Sequence, residues 1–146
     1  MQSNAALIAI LLLSTPLPAF AREPPPPTPV ARNLDPAQLA RGGELFQQHC
    51  AQCHGRQAEG APNWRTRLAN GRFPPPPLNG SGHAWHHPAS ELKQVIIFGR
   101  NEMPSWNGKL GRQDVDDLVA WFQSRWPDEI YSAWARANQR VEAPLR

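Results

Sequence analysis

The chain has 146 residues, enough for one domain with extensions. Its 15 Lys and Arg against 12 Asp and Glu leave a net charge of only +3. With so small a net charge and no dense Lys/Arg cluster interleaved with aromatics, there is no strong case for a polyanion, and a nucleic-acid partner is set aside. Seventeen prolines and ten glycines argue against long uninterrupted secondary structure, and six tryptophans point to packing around something flat and apolar.

Residues 5–13, "AALIAILLL", form an apolar run followed by "STPLPAFA". This reads as a signal peptide over residues 1–21, cleaved on export to the periplasm, although "MQSN" supplies no Lys or Arg. The run is too short to span about 30 Å of hydrocarbon, which needs roughly 20 residues. Residues 22–34 read as a spacer, because proline lacks a backbone donor and favours extended polyproline, so "EPPPPTPVA" is not expected to join a core. The folded domain is expected at 35–127, with an extension at 128–146 in which Asp128 to Arg140 reads as an amphipathic helix.

The domain opens at "NLDPAQLARGGELFQQHCAQC". Asp35 suits the N-cap, Pro36 the first helical position, and Gln38 a capping box. Leu39, Gly42, Phe46, Cys50 and Cys53 then recur on one helix face. Glycine costs about 1 kcal/mol in a helix, so Gly42 makes sense where another helix crosses closely. From Gly55 to His87 the sequence is irregular, and a loop of that length is expected to wrap something. "HPASELKQVIIFG" predicts a short helix with Leu92, Val95 and Ile96 on one face, ended by Gly99. A last core helix is predicted over 112–126, with Val115, Leu118, Val119 and Phe122 on one side and Pro127 as its stop. Asp114, Asp116 and Asp117 in its first turns suit the helix dipole. These helices are short, so something else is expected to complete the core.

Cys50-Ala-Gln-Cys53-His54 is a C-x-x-C-H motif, which reads as covalent haem attachment. Thiols three positions apart on a helical turn can reach the two vinyl groups of one porphyrin, and the following histidine can present a neutral nitrogen to iron. A thioredoxin-like dithiol would need a βαβ context. Zinc would need two more ligands, for which His83, His86 and His87 are the candidates, and a short disulfide is the third alternative. With Met1 removed, Met103 in "NEMPSW" is the one remaining methionine and the first choice for a sixth ligand. His83, His86 and His87 are the alternatives; His49 lies too close to the attachment helix to reach the opposite face. In "GHAWHHP", Trp85 is expected near the haem edge and one histidine at the cap of the helix that begins at Pro88.

The chain resembles the class I c-type cytochromes, in particular the small bacterial monohaem kind, over about residues 36–126. The resemblance rests on "CAQCH", "MPSW", the Gly42 and Phe46 pair before Cys50, and Leu118 and Trp121 in "LVAWF". Pro76-Pro77-Leu78-Asn79-Gly80 is similar to the family's P-x-L-x-G. The resemblance implies an all-α cytochrome c fold, three to five short helices around a single covalent haem c. It implies a crossing of the last helix over Gly42, His54 and Met103 as axial ligands, and Leu78 and Trp106 as haem contacts. The Pro76 carbonyl would accept the His54 Nδ1–H, with Pro77 as the alternative register.

The function expected is that of a monomeric electron carrier, soluble or peripheral to membrane redox complexes, cycling Fe(III)/Fe(II) without acting as an enzyme. Its donor and acceptor would be redox proteins docking on the haem edge. Two rivals stand beside it: a haem enzyme or gas or peroxide sensor with a labile Met103, and a dedicated electron-feeding subunit of a dehydrogenase or oxidase.

Overall fold

The structure is a computed structural model that describes residues 28–32 and 34–141. The export signal expected at 1–21 and the first part of the proline spacer lie outside the described residues. Five helices follow in order: α1 (Pro36–His49), α2 (Ala51–His54), α3 (Ala89–Phe98), α4 (Arg112–Gln123) and α5 (Asp128–Val141). A 3-10 turn, Ala84–His86, precedes α3. Among the described residues there is no strand, only a bridge between Arg100 and Met103. The all-α expectation holds.

Helix α1 begins as its sequence dictates. The Asp35 carboxylate accepts from the Ala37 amide at 3.0 Å, with Pro36 in the first turn, where its missing N–H costs nothing. The helix does not run unbroken to Cys53. At Cys50 the backbone turns to φ −116°, and α2 resumes with the His54 amide 3.0 Å from the Cys50 carbonyl.

Helices α1 and α4 cross at Gly42. A β-carbon there would strike the Asp117 carbonyl and lie 2.8 Å from the Trp121 Cβ, so only glycine permits the approach. One turn on, Phe46 packs on Trp121 with ring centroids 4.3 Å apart. Asp117 behaves differently from the dipole-facing carboxylate its position suggested. It is 1% exposed and accepts from Arg41 Nε at 2.8 Å and Gln113 Nε2 at 2.7 Å, since its side of α4 meets α1. Burial raises its pKa, but the hydrogen bonds from Arg41, Gln113 and Gln38 outweigh that and hold the carboxyl below its ordinary range. Asp114 does lie in the first turn, as the dipole favours, and also closes a capping box by accepting from the Gly111 amide at 2.8 Å.

The C-terminal helix is part of the core. Ser132, Trp134 and Ala135 are buried, and Trp134 meets Trp126 edge-on at 5.6 Å. The cap of α3 comes from here too: the Ala89 amide donates to Asn138 Oδ1 at 2.8 Å, so no histidine is the cap. The spacer also corrects its expectation. Val30 packs against the core and its amide donates to Ser132 Oγ, while Arg32, its side chain 10% exposed, donates to the Trp126 carbonyl at 2.6 Å and the Gln123 carbonyl at 3.1 Å. The guanidinium thus adds a donor to carbonyls at and just beyond the end of α4, where intrahelical partners run out.

Apart from the 3-10 turn at Ala84–His86, the stretch from Gly55 to His87 is held by backbone hydrogen bonds without regular structure. Ala58, 0% exposed and at φ 58°, accepts from the Leu78 and Asn79 amides at 2.7 and 3.2 Å. The Gly60 amide donates to the His54 carbonyl at 2.7 Å, and the Ala61 amide to the Pro75 carbonyl at 2.9 Å. Gly60 is at φ 69°, and a side chain there would press on the Pro76–Pro77 peptide.

Two outcomes follow from the α1–α4 crossing. Gly42→Ala should lower the stability of the haem-loaded protein by about 2 kcal/mol in thermal unfolding, because overpacking outweighs the better helix propensity of alanine. Asp117→Asn should cost about 1–3 kcal/mol at neutral pH, the range for a lost charge-assisted hydrogen bond. A carboxyl with a depressed folded pKa contributes above its unfolded value and loses that contribution as pH falls through the folded one. The gap between Asp117→Asn and the native chain, read by urea denaturation, should therefore close below about pH 4.

Candidate functional site

The face of α1 that carries Phe46 and Cys50, the Leu118–Phe122 face of α4 and the Leu92–Ile96 face of α3 meet around a cavity of about 580 Å³. The fourth wall is the irregular loop, through Trp64, the Phe73–Pro76 run, Leu78 and His83. Cys50, His54 and Met103 all line this same space.

His54 closes α2 and is buried. Its Nδ1 lies 2.9 Å from the carbonyl of Pro76, the first of the two candidate prolines. The carbonyl can only accept, so Nδ1 carries the proton and Nε2 keeps its lone pair. Burial pushes the imidazole below its ordinary pKa, against the opposing effect of the Pro76 carbonyl, and the ring is neutral at neutral pH. Burial, with neighbouring Cys53, pushes the Cys50 thiol up to about 11. Such a wall disfavours a thiolate and suits a sulfur with no proton to lose, as in a thioether. Cys53 is exposed on the outer side of α2 and does not line the cavity.

Met103 is held by a tight turn. Its amide donates to the Arg100 carbonyl at 2.9 Å, the Arg100 amide donates back at 3.1 Å, and Asn101 takes φ 54°, which asparagine tolerates better than most residues. The next residues fasten this turn to the end of α3, with Ser105 Oγ donating to the Ile97 carbonyl at 2.7 Å and the Trp106 amide to the same carbonyl at 3.1 Å.

Two expected contacts fall elsewhere. Trp106 is not among the cavity's lining residues; its ring lies 4.9 Å from that of His49, because its amide is drawn to the end of α3. Trp85 also lies outside the lining: it stacks on His86 at 3.7 Å, and its indole donates to the Gly82 carbonyl just before the 3-10 turn. His83 and His87 line the cavity instead, rings 5.6 Å apart. His87 Nδ1 is 3.0 Å from Glu91 Oε2, and Glu91 Oε1 accepts from Arg100 at 2.9 Å. Trp64 and Phe73, on either side of "RTRLANGR", were missed as wall residues, although aromatics next to a proline run in an otherwise irregular stretch were a usable signal.

The walls suit a large apolar group. They are built from the same residues that form the core (Phe46, Ile96, Leu118, Phe122), and the sulfurs of Cys50 and Met103 and the neutral imidazole of His54 line the space between them.

Residues 37–122 match the family described as "Cytochrome C oxidase, cbb3-type, subunit III". Among curated proteins the chain is similar to a "Cytochrome bc1 complex cytochrome c subunit" of Corynebacterium diphtheriae, 27% identical over 69% of this chain and 32% of that protein. It is also similar to a "Cbb3-type cytochrome c oxidase subunit CcoP" of Azospirillum brasilense, 29% identical over 62% of this chain and 29% of that one. The chain spans about a third of the length of these relatives. In fold it is similar to the crystal structure of cytochrome CL from Methylophaga aminisulfidivorans, with a TM-score of 0.55 and 22% identity over 77% of this chain and 69% of the other. The matched stretch exceeds half of the sequence: the chain belongs to the cbb3-type subunit III family and is a class I c-type cytochrome.

Proposed function

We propose that the protein carries electrons one at a time on a single haem c, attached through Cys50 and Cys53 and ligated by His54 and Met103. The observation that carries this reading is the convergence of Cys50, His54 and Met103 on one apolar cavity, with His54 Nδ1 already committed to Pro76. A haem bound there supplies a reversible one-electron Fe(III)/Fe(II) couple. The chain's own residues supply the rest. Pro76 fixes the tautomer and orientation of His54 and makes its free nitrogen a better donor. The turn at Arg100–Met103 presents a thioether, which favours the reduced metal. Phe46, Leu118, Phe122 and Ile96 exclude water from the interior of the site.

Among the described residues no helix is long and apolar enough to cross a membrane. The two curated relatives are, by name, subunits of a bc1 complex and of a cbb3-type oxidase. From the apolar run at residues 5–13 and these names, we place the protein on the exported side of a membrane, passing electrons to or from a redox complex of that kind. A chemically active haem would need a labile Met103, and the two-way hydrogen bonding of its turn favours a fixed one.

The oxidised holoprotein should show the weak charge-transfer band of methionine–ferric ligation, and the reduced form should not bind carbon monoxide. Met103→Ala should abolish the band, open the iron to carbon monoxide and lower the midpoint potential by on the order of 0.1 V. Ready carbon monoxide binding by the native reduced protein would overturn the carrier reading.

A further inference from the structure

Charge is distributed very unevenly along this chain. Residues 60–90 contain Arg65, Arg67 and Arg72 and no Asp or Glu. The other 12 Lys and Arg are matched by the chain's 12 Asp and Glu, so the formal +3 resides in this one segment. It is also the segment that forms the loop wall of the cavity.

The arginines are positioned. The Arg65 guanidinium lies over the Trp64 ring at 4.4 Å, and that of Arg67 over the Phe73 ring at 4.3 Å. Trp64 and Phe73 both line the cavity, so each carries a cation on a wall residue of the site. The carboxylates that line the same cavity are already engaged, Glu91 by Arg100 and His87, and Glu102 by Arg72. Among the described residues neither Arg65 nor Arg67 forms a salt bridge. Apolar surface accompanies them, with Leu68 44% and Phe73 48% exposed. A fixed positive charge set in exposed apolar surface has the character of a protein docking site, where Arg and aromatics are enriched.

We infer that residues 64–73 flank the point where electrons cross the protein surface, and that they select a partner with an acidic face. This inference rests on the electron-carrier reading and adds the location and charge of the docking surface. A membrane surface fits less well, because the guanidinium groups cover the two aromatic rings that would have to insert between lipids.

The test is the oxidation of the reduced holoprotein by small reagents, each taking one electron as ferrous haem becomes ferric. Hexacyanoferrate(III) serves as the anionic reagent and tris(phenanthroline)cobalt(III) as the cationic one. Arg65→Glu with Arg67→Glu should slow the anionic reagent at least about threefold at low ionic strength and speed the cationic one, and both effects should fade at high salt. Arg65→Lys with Arg67→Lys should keep the native rates. Lys109→Glu with Arg112→Glu, which alters exposed cations that do not line the cavity, should change either rate far less. The methionine–ferric band should persist in every variant; its absence from the native protein would instead count against the ligation on which the inference rests. Equal effects at the two pairs of sites, or an equal loss in the lysine variants, would overturn the inference. So would sedimentation of the native protein with phosphatidylglycerol vesicles that the glutamate variants abolish, since the patch would then belong to a membrane surface.

Discussion

The contact between two helix backbones at Gly42 sets the position of nearly everything else in the molecule. With no β-carbon in the way, α4 settles against α1 until the Asp117 carbonyl and Trp121 meet the glycine. That closeness fixes the register of both helices. Phe46 then faces Trp121, and Leu118 and Phe122 turn to the cavity that Cys50 enters from the end of α1. The same closeness puts Asp117 where no water can reach it, which is tolerable only because Arg41 and Gln113 meet it there. One missing methyl group thus determines the walls of the site and creates an electrostatic demand that neighbouring side chains satisfy.

A second constraint acts on the irregular half. A chain without helices or strands still has to pair its buried peptide groups. It does so by folding back on itself around Ala58 and Gly60, whose backbones are bonded to Leu78, Asn79 and His54. Prolines contribute by needing no donor partner and by losing little conformational entropy on folding. The Pro76 carbonyl is consequently held still, and a stationary acceptor is what orients the His54 ring. Much of the rigidity around this histidine comes from residues with no polar side chain at all.

Short-range features were legible in the sequence. The Asp35–Pro36 start of α1, the apolar face of α4 and the close approach at Gly42 each depend on a few residues and a fixed period, and each appears as expected. The structure also brings Cys50, His54 and Met103 to one cavity. What escaped depended on residues far apart in the chain. Nothing near Pro88 indicates that Asn138 will cap α3, and nothing in a proline-rich stretch indicates that Arg32 will close the end of α4. Asp117 looked like an ordinary acidic residue of a first helical turn until α1 lay across it. Trp106 was expected at the cofactor through the family resemblance, and Trp85 near the haem edge from its place in "GHAWHHP". Both instead follow local hydrogen bonds, to Gly82 and to the end of α3.

The cavity's two ends differ in how firmly they are built. Its interior is lined by close-packed side chains that belong to the main core, where any displacement costs packing. The methionine turn itself is closed by backbone hydrogen bonds, but the loop is tied to it by an ion pair. Arg72 of the loop pairs with Glu102 beside Met103, and Arg100 of the same turn pairs with Glu91 on α3. All four side chains are about a third to a half exposed, so each bridge contributes between nothing and about 1 kcal/mol and weakens in salt. Such pairs set the register of the loop against the methionine turn without locking it. A core this rigid keeps the geometry around a ligand nearly constant, as low reorganisation in electron transfer requires. A softer rim can adjust to a partner's surface without disturbing that geometry. The split follows from where these residues fall in the chain, with the apolar ones on the helix faces and three of the four charged ones (Arg72, Arg100 and Glu102) on the connections between helices.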